Sequence, residues 1–423
     1  MRKLTSVILV SVLLVCALPQ VCSGYSVLTH EEVVDLLWLD EIRPLLLQRY
    51  PGTTTEELRK AHAYAYGGCL MQDMGYYPAG NKFFSDLVHY VRSGDFVVNM
   101  LNEAQDINEY AFALGAMAHY TSDVTGHPAV NESVGREFPK LRAKYGPVVT
   151  YVQDPKAHIR TEFGFDVVQV AKGRYTSDSY HDFIGFEVSK PVLERAFRDT
   201  YGLELSDIFG DVDHSIGSFR HAVSTLIPTM TKVALETHKV QLVKENPNFN
   251  KKKFLYNLSR AEYQRDFGTN YQKPGAGTRF LAFLVRILPK VGPLKSLAIK
   301  TPDAKTEDIY LKSVNSTVDQ YKVFLGEMRG PGLRLENIDL DTGKPTKPGE
   351  YRLTDETYAK LVDKLADKKF AVMRPELQTN ILAFFNDPAP PTWLQKKAKD
   401  WAKTQKQIAL LKEQPPQGTD FLK

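Results

Sequence analysis

The sequence predicts an all-α protein, a multi-helix bundle followed by a mainly helical C-terminal region. Three observations lead to this prediction. From residue 25 to about 240, apolar residues recur at the three- and four-residue spacing of amphipathic helices. The same stretch has no alternating apolar and polar run of useful strand length, and no internal repeat. The segment from Tyr110 to Ala118 is apolar on nearly every face and rich in Ala and Gly, which is typical of a buried central helix.

Composition places the chain among ordinary globular proteins. Of its 423 residues, 43% are hydrophobic and 25% are charged, and 54 basic against 50 acidic side chains give a net charge of +4. These values exclude a collagen, a coiled coil and a wholly disordered chain. The balanced charge does not favour a nucleic-acid-binding protein, which usually has a strongly basic domain. Three cysteines are too few for a disulfide-stapled scaffold.

Residues 1–24 have the features of a cleaved signal peptide. Met1-Arg2-Lys3 gives a positive start, the run from Val7 to Leu18 is apolar, and small residues precede the expected cleavage near Gly24. The apolar run is shorter than the roughly 18 to 20 residues that span a bilayer, so a retained anchor is the weaker interpretation. We therefore expect a secreted or periplasmic protein with Cys69 as the single cysteine of the mature chain.

The helices of the first part are placed from their capping patterns and apolar spacing. Thr29 with Glu32 three residues later is a capping-box pattern, so a first helix is expected to start there and to include the run from Val33 to Leu47. Pro128 predicts the end of the central helix, because proline has no backbone N–H to donate. Further helices are expected near 54–70, 81–93, 106–126, 155–171, 187–199 and 214–240.

The second part of the chain has a different character. We expect a first domain over residues 25–245 and a C-terminal region of unknown role over residues 246–423. A loop-rich section from about 330 to 351 contains Asp341-Thr342-Gly343, which suits a turn and a short hairpin. Helices are expected again around 355–367 and 391–412. This region contains no histidine, so any metal site is expected to lie in the first domain.

Histidines and carboxylates follow one another at helical spacing in the first domain. His119, Asp123 and His127 are four residues apart in turn, so one helix face presents all three. His158 and Glu162 form a second pair with the same spacing. Imidazole and carboxylate groups together suit zinc and similar divalent ions. One such pair alone is usually a solvated ion pair, whereas two histidine–carboxylate helices favour a metal cluster.

The order of these residues resembles that of the zinc-dependent phospholipase C family, whose all-helical, three-zinc fold is shared with the fungal single-strand nucleases. The most specific pieces are residues 118–124 (AHYTSDV) and residues 158–162 (HIRTE). The resemblance covers about residues 25–240. The three-residue gap between Asp123 and His127 is more similar to the glycosyl-phosphatidylinositol-specific phospholipase D branch than to the many secreted members that have five.

The resemblance implies three zinc ions and a set of ligands for each. It also implies that the mature N-terminal residue, Tyr25, binds zinc through its amino nitrogen and carbonyl oxygen, so that signal removal completes the site. Asp73 is the candidate general base that orients or deprotonates a metal-activated water. The implied ligands are Asp73, His89, His119 and Asp123 for the first ion, His127, His158 and Glu162 for the second, and Tyr25, His30 and Asp123 for the third.

The function that the resemblance implies is the hydrolysis of phospholipids at a membrane surface, with no specific nucleic acid as partner. One alternative is a single-strand nuclease on the same scaffold, which would need aromatic residues beside the metals to stack bases. Another is a non-catalytic protein in which zinc only holds helices together. The aromatic residues that could line either a base pocket or a lipid cleft are Tyr76, Tyr77, Phe83, Phe84 and Phe163.

Five further positions suit a structural role better than a ligand role. His62 is expected to pack between helices, and Cys69 to be small buried packing. His214 and His221 are expected on a solvated helix face. Asp166, four residues after Glu162, could hydrogen-bond to a ligand from outside the metal site.

Overall fold

The computed structural model describes residues 25–171, 185–226, 302–330, 332–387, 391 and 398–414. The predicted signal peptide, the domain boundary at 245, and parts of the helices predicted over 214–240 and 391–412 lie outside these residues. Within them the protein is all-α, as the sequence predicts, with a single two-stranded hairpin. No helix among the described residues is long and apolar enough to cross a membrane.

The described helices are numbered here in chain order. Short 3₁₀ segments occur at Gln72–Tyr76 and Leu205–Asp207, and π-helical turns at Trp38–Ile42 and Ala222–Leu226. The hairpin pairs β1, Ile338–Asp339, with β2, Lys344–Pro345, in antiparallel register. The helices are α1 Val27–Leu37, α2 Arg43–Arg49, α3 Thr55–Met71, α4 Lys82–Tyr90, α5 Ser93–Glu103, α6 Ile107–Glu137, α7 Pro139–Tyr145, α8 Pro155–Ala171, α9 Lys190–Tyr201, α10 Val212–His221, α11 Ala304–Glu327, α12 Arg352–Asp367, α13 Pro375–Phe384 and α14 Ala398–Glu413.

Helix α1 begins earlier than the sequence predicts. Its first residue is Val27, after Ser26, so the capping box predicted at Thr29 and Glu32 is wrong. The Thr29 hydroxyl instead donates to Oδ1 of Asp166 at 2.9 Å, and is therefore used in a long-range contact rather than in a helix cap. The true capping box of this part of the chain opens α3.

The prediction that Pro128 ends the central helix is also wrong, because α6 continues through it to Glu137. Proline cannot donate to the carbonyl of Val124 one turn earlier, which costs a helix about 3 kcal/mol. The hairpin covers this break: a Cβ built on Gly343 would lie 2.7 Å from the Val124 carbonyl oxygen and 3.0 Å from Cγ of Pro128. Packing from a distant segment therefore outweighs the local signal, and His127 lies inside the helix rather than in its last turn.

Two glycines allow α3 and α6 to approach at the level of their backbones. A Cβ on Gly68 would lie 1.9 Å from the Phe112 carbonyl oxygen, and one on Gly115 would lie 2.1 Å from the Ala65 carbonyl oxygen. The segment Tyr110–Ala118 is buried as predicted, with side chains at most 2% exposed. This close crossing brings the C-terminal end of α3 next to the face of α6 that carries His119.

The C-terminal region packs into the same core as the first domain. Helix α11, which was not predicted from the sequence, lies against α6, and its Tyr321 hydroxyl donates to the Leu114 carbonyl at 2.8 Å. Val318 and Leu325 belong to the same buried cluster as the side chains of α3 and α6. Three other helices without a sequence prediction are α5, α7 and α13.

The segment that contains the hairpin, residues 335–346, crosses the helices of the first domain and is called the strap here. Leu340 N–H donates to the His89 carbonyl of α4 at 3.1 Å, and Tyr120 of α6 donates to the Glu336 carbonyl at 2.8 Å. The Asn131 side-chain amide donates to the Asp341 carbonyl at 2.9 Å. The hairpin predicted from the turn residues is present, and it reaches the helices that carry the predicted metal ligands.

Candidate metal centre

The predicted metal-binding side chains converge from several elements in one buried region. α1 contributes His30, the 3₁₀ turn after α3 contributes Asp73, α4 contributes His89, and α6 and α8 contribute the rest. All of them are at most 3% exposed, so their charges are taken out of water and need compensation. The side chains could hold metal ions in three groups: Asp73, His89 and His119; His30, His119 and Asp123; and His127, His158 and Glu162.

The first group has the spacing of ligands around one ion. His89 Nε2 lies 3.4 Å from Asp73 Oδ1, 3.3 Å from Asp123 Oδ2 and 3.4 Å from His119 Nε2. His119 Nε2 lies 3.2 Å from the same Asp123 oxygen. Two ligands of a tetrahedral zinc ion are about 3.3 to 3.6 Å apart, whereas most hydrogen bonds are shorter than about 3.2 Å. Three of the four observed separations match ligands that share an ion, and the fourth, 3.2 Å, is just below that range.

Backbone carbonyls fix the orientation of both imidazoles in this group. His119 Nδ1 lies 2.9 Å from the Cys69 carbonyl, and His89 Nδ1 lies 2.7 Å from the Ser85 carbonyl. Each Nδ1 must carry a proton to donate to a carbonyl. In the neutral rings both Nε2 atoms are therefore unprotonated, and their lone pairs face one another. Such an arrangement is repulsive unless a cation lies between the nitrogens. This is the pattern of metal-bound histidines, whose second nitrogen donates to a carbonyl.

Asp123 also faces His30, through the carboxylate oxygen that does not face His89 and His119. His30 Nε2 lies 3.5 Å from Asp123 Oδ1, and the His30 ring stacks on His119 at 4.4 Å between centroids. Burial, and then the neighbouring His119, lower the pKa of His30 well below its ordinary value, so it is a neutral imidazole able to bind a cation. One carboxylate therefore lies between two candidate ion sites.

Tyr25 is held next to His30 by helices from both parts of the chain. Its side chain is fully buried, and its hydroxyl donates to Ser313 Oγ of α11 at 2.7 Å. The ring packs on Gly126 of α6, where a Cβ would lie 2.7 Å from two ring carbons. The centroids of Tyr25 and His30 are 6.1 Å apart. The predicted mature N-terminal residue is therefore anchored beside the group that contains His30.

The third group forms where α6 faces α8. His158 Nε2 lies 2.9 Å from Asn131 Oδ1, which leaves its Nδ1 facing Glu162 Oε1 at 2.6 Å. The rings of His127 and His158 stack at 5.3 Å between centroids. His127 Nε2 also lies 3.5 Å from Asp123 Oδ2, so this group adjoins the first.

The ionisable residues of the third group shift one another's pKa values. Burial lowers the pKa of His127, but Asp123 and Asp341 raise it to about 9. Burial and the neighbouring His127 lower the pKa of His158 to about 3, and burial raises the pKa of Glu162 well above its ordinary value. Without a bound cation, the carboxylates therefore favour a proton on His127, and His127 disfavours a second one on His158. A bound cation would supply the positive charge that the buried carboxylates require.

Comparison with known families agrees with this geometry. Residues 29–210 match the model of a family described as zinc dependent phospholipase C. This match supports the assignment of this part of the chain to the zinc-dependent phospholipase C family. The resemblance predicted over about residues 25–240 is thus confirmed over most of that range, and the family's zinc dependence fits the donor set found here. Searches of curated proteins and of solved structures gave no match.

One charged group near the centre lies outside the family match and was missed by sequence reasoning. Asp341, in the strap, is fully buried and places Oδ1 3.5 Å from His127 Nε2. Its place in an Asp-Thr-Gly sequence indicated only a turn, because nothing local in the sequence shows that the turn reaches α6. A buried carboxylate of the C-terminal region therefore adjoins the candidate centre.

Other candidate residues have structural positions. His62 Nε2 lies 2.8 Å from Asp35 Oδ1, and its ring stacks on Trp38 at 3.7 Å between centroids, so it packs between helices. Cys69 is buried, and its carbonyl accepts from His119. Asp166 accepts from Leu28 N–H at 3.0 Å as well as from Thr29, and therefore holds the start of α1 rather than a ligand histidine.

The aromatic residues considered for a binding cleft lie in three different environments. Tyr77, Phe83 and Phe84 belong to the main hydrophobic core. Tyr76 lies beside His89, with 5.9 Å between ring centroids, in a small cluster with Tyr90, Tyr151 and Tyr351. Phe163 is half-buried. His214 and His221 are exposed on α10, as expected.

Proposed function

We propose that the protein is a secreted zinc-dependent phosphodiesterase of the phospholipase C type. It cleaves a phospholipid on the glycerol side of the phosphate and releases diacylglycerol and a phosphorylated head group. The family match supports this reaction class, and the buried ligand groups supply the means for it.

The observation that carries the proposal is the position of Asp123. Its two carboxylate oxygens lie 3.2 to 3.5 Å from ring nitrogens in all three candidate groups. Ions bound in the three groups would therefore lie close enough to act on one phosphodiester. A centre built only to hold helices together needs no shared carboxylate of this kind.

The residues that would hold the ions follow from the groups. Asp73, His89, His119 and Asp123 would hold one ion, and His127, His158 and Glu162 another. His30, Asp123 and the terminal amine and carbonyl of Tyr25 would hold a third. When bound, zinc neutralises the oxygens of a phosphodiester and lowers the pKa of a bound water toward neutrality.

The chain itself supplies the base that handles the proton. Both carboxylate oxygens of Asp73 are buried and accept no hydrogen bond from the described residues. With one oxygen given to the first ion, the other would be available to a water or a hydroxyl of the substrate, as a general base must be. Asp73→Asn should lower turnover by about 10² to 10⁴-fold with the helical content unchanged. A variant that kept full activity would remove Asp73 from this role.

The proposal includes secretion because removal of the signal peptide would make Tyr25 the N-terminal residue. Cleavage after Gly24 would create the terminal amine, whose ordinary pKa near 8 lets a zinc ion displace its proton at modest cost. The buried Tyr25 side chain supports this, because it fixes the residue beside His30. Mass spectrometry of the exported protein should find Tyr25 at its N-terminus, and a chain that keeps residues 1–24 should be inactive.

The decisive experiment is hydrolysis of phosphatidylcholine vesicles by the chain beginning at Tyr25, with and without a zinc chelator. Release of phosphocholine that the chelator abolishes and added zinc restores would support the proposal. Single-stranded DNA is the parallel substrate. Its cleavage without phosphocholine release would establish the nuclease alternative, and zinc binding without either activity would favour a structural role for the ions.

A further inference from the structure

We propose that Asp341 is a further ligand of the metal ion held by His127, His158 and Glu162. The inference rests on the zinc centre of the proposed function, but not on its substrate. It assigns a metal-binding role to the strap, which lies outside the segment matched by the family.

The first argument is the separation of the two atoms. Asp341 Oδ1 lies 3.5 Å from His127 Nε2, and both side chains are fully buried. That distance is longer than an ordinary hydrogen bond but fits two ligands on one tetrahedral zinc ion, which are about 3.3 to 3.6 Å apart. His127 Nε2 is also the ring nitrogen that faces Asp123, so Asp341 adds a second carboxylate on the same side of the ring.

The second argument is how the two oxygens of Asp341 are used. Oδ2 accepts hydrogen bonds from the hydroxyls of Tyr90 at 2.9 Å and Tyr351 at 2.5 Å. Oδ1 accepts none from the described residues. Leaving a buried carboxylate oxygen without a partner is costly. A carboxylate with one oxygen oriented by donors and the other left open has the arrangement of a metal ligand supported by its neighbours.

The third argument is that the strap is bound to the elements that carry the other ligands. Asn131 donates from its side-chain nitrogen to the Asp341 carbonyl at 2.9 Å, while its oxygen accepts from His158 Nε2 at 2.9 Å. One amide therefore sets the orientation of His158 and the position of Asp341. Leu340 is bonded to the backbone of α4 at His89, which fixes the strap on the other side.

The test measures zinc binding by the full chain from Tyr25, and it needs no substrate. Asp341→Asn keeps an acceptor for the two tyrosines but removes the anionic ligand. Tyr351→Phe removes one orienting hydrogen bond and leaves the carboxylate. Asp339→Asn is the matched control, because Asp339 is buried in the same hairpin and bonds to Thr342 and Thr354 instead. Zinc per chain and zinc affinity are measured by competition with a chelator.

Asp341→Asn should weaken one of the bound ions by more than about 100-fold, beyond the roughly 10 to 100-fold that loss of an orienting partner costs. Asp339→Asn should bind zinc as the wild type does. A loss in Asp341→Asn no larger than that in Tyr351→Phe would overturn the proposal, because the carboxylate would then matter only for the position of the strap.

Cobalt(II) gives a second readout, which does not depend on a loss of metal affinity. Asp341→Cys places a thiolate at the same position, and a thiolate bound to cobalt produces an intense near-ultraviolet charge-transfer band that the wild type lacks. A folded Asp341→Cys protein that binds cobalt without this band would refute the ligand role. Both experiments report on the metal alone, so failure to hydrolyse vesicles would remove the proposed activity and leave the assignment of Asp341 intact.

Discussion

Replacing Gly126 by alanine tests whether the pocket for Tyr25 positions the N-terminal end of the chain. Gly126 lies in α6 next to His127, directly under the Tyr25 ring. An alanine Cβ would lie 2.7 Å from Cε2 and Cζ of that ring, whereas carbon atoms in contact are about 3.5 to 4.0 Å apart. The ring therefore has to move by about 1 Å, away from its hydrogen bond to Ser313.

The magnitude follows from three contributions. Overpacking in a buried site costs about 1 to 3 kcal/mol. Loss of the hydrogen bond costs about 1 kcal/mol more. Alanine gains about 1 kcal/mol over glycine inside a helix. The free energy of unfolding should fall by about 1 to 3 kcal/mol. A displacement of about 1 Å beside the reacting groups should also lower turnover by about 100-fold.

Urea unfolding in the presence of chelator measures the change without a contribution from zinc. Gly217→Ala is the matched control, because Gly217 lies in α10 with nothing within 4 Å of the position that an alanine Cβ would take. That change should be neutral or stabilising by up to about 1 kcal/mol. In a Tyr25→Ala background, Gly126→Ala should also cease to destabilise. Equal effects in both backgrounds would refute the reasoning, since the clash with Tyr25 is its cause.

Three further predictions concern metal, pH and the strap. Before chelation, let the free zinc concentration be about a thousand times the dissociation constant of the zinc–protein complex; chelation should then lower the free energy of unfolding by about 4 kcal/mol. Thermal unfolding with and without zinc measures this change. An unchanged midpoint would contradict a buried zinc centre. Burial lowers the pKa of His62 despite its contact with Asp35, so the native state resists a proton that the unfolded chain takes up near pH 6.5. The free energy of unfolding should therefore fall as the pH drops below about 6.5, by up to about 1.4 kcal/mol per pH unit. Urea titrations of His62→Gln should show a shallower fall. Equal dependence of stability on pH in the two proteins would exclude His62 as the cause. Gly343→Ala places a Cβ 2.7 Å from the Val124 carbonyl at a φ of +67°, so it should destabilise the protein by about 1 to 2 kcal/mol or more and reduce bound zinc. Gly52→Ala, at a φ of +86° with open space around it, should show only the conformational cost and keep its zinc.

Much of the fold could be predicted because helices are governed by local pattern. The apolar spacing located α3, α8 and α12 closely, and the composition of Tyr110–Ala118 showed that α6 is central and buried. The start of α1 and the length of α6 were wrong for one reason. Thr29 and Pro128 carry strong local signals, but long-range contacts with Asp166 and with the strap override them.

The candidate site, like the fold, was only partly predictable from the sequence. Histidine and carboxylate four residues apart on one helix must share a face, so the sequence by itself determined the pairs His119–Asp123 and His158–Glu162. Its resemblance to the zinc-dependent phospholipase C family is supported by the match over residues 29–210. Only the tertiary structure decided that Asp123 faces three groups, that α11 anchors Tyr25, and that Asp341 reaches His127. Those contacts join residues far apart in the chain. They depend on how whole helices and the strap pack, and no short stretch of sequence encodes that packing.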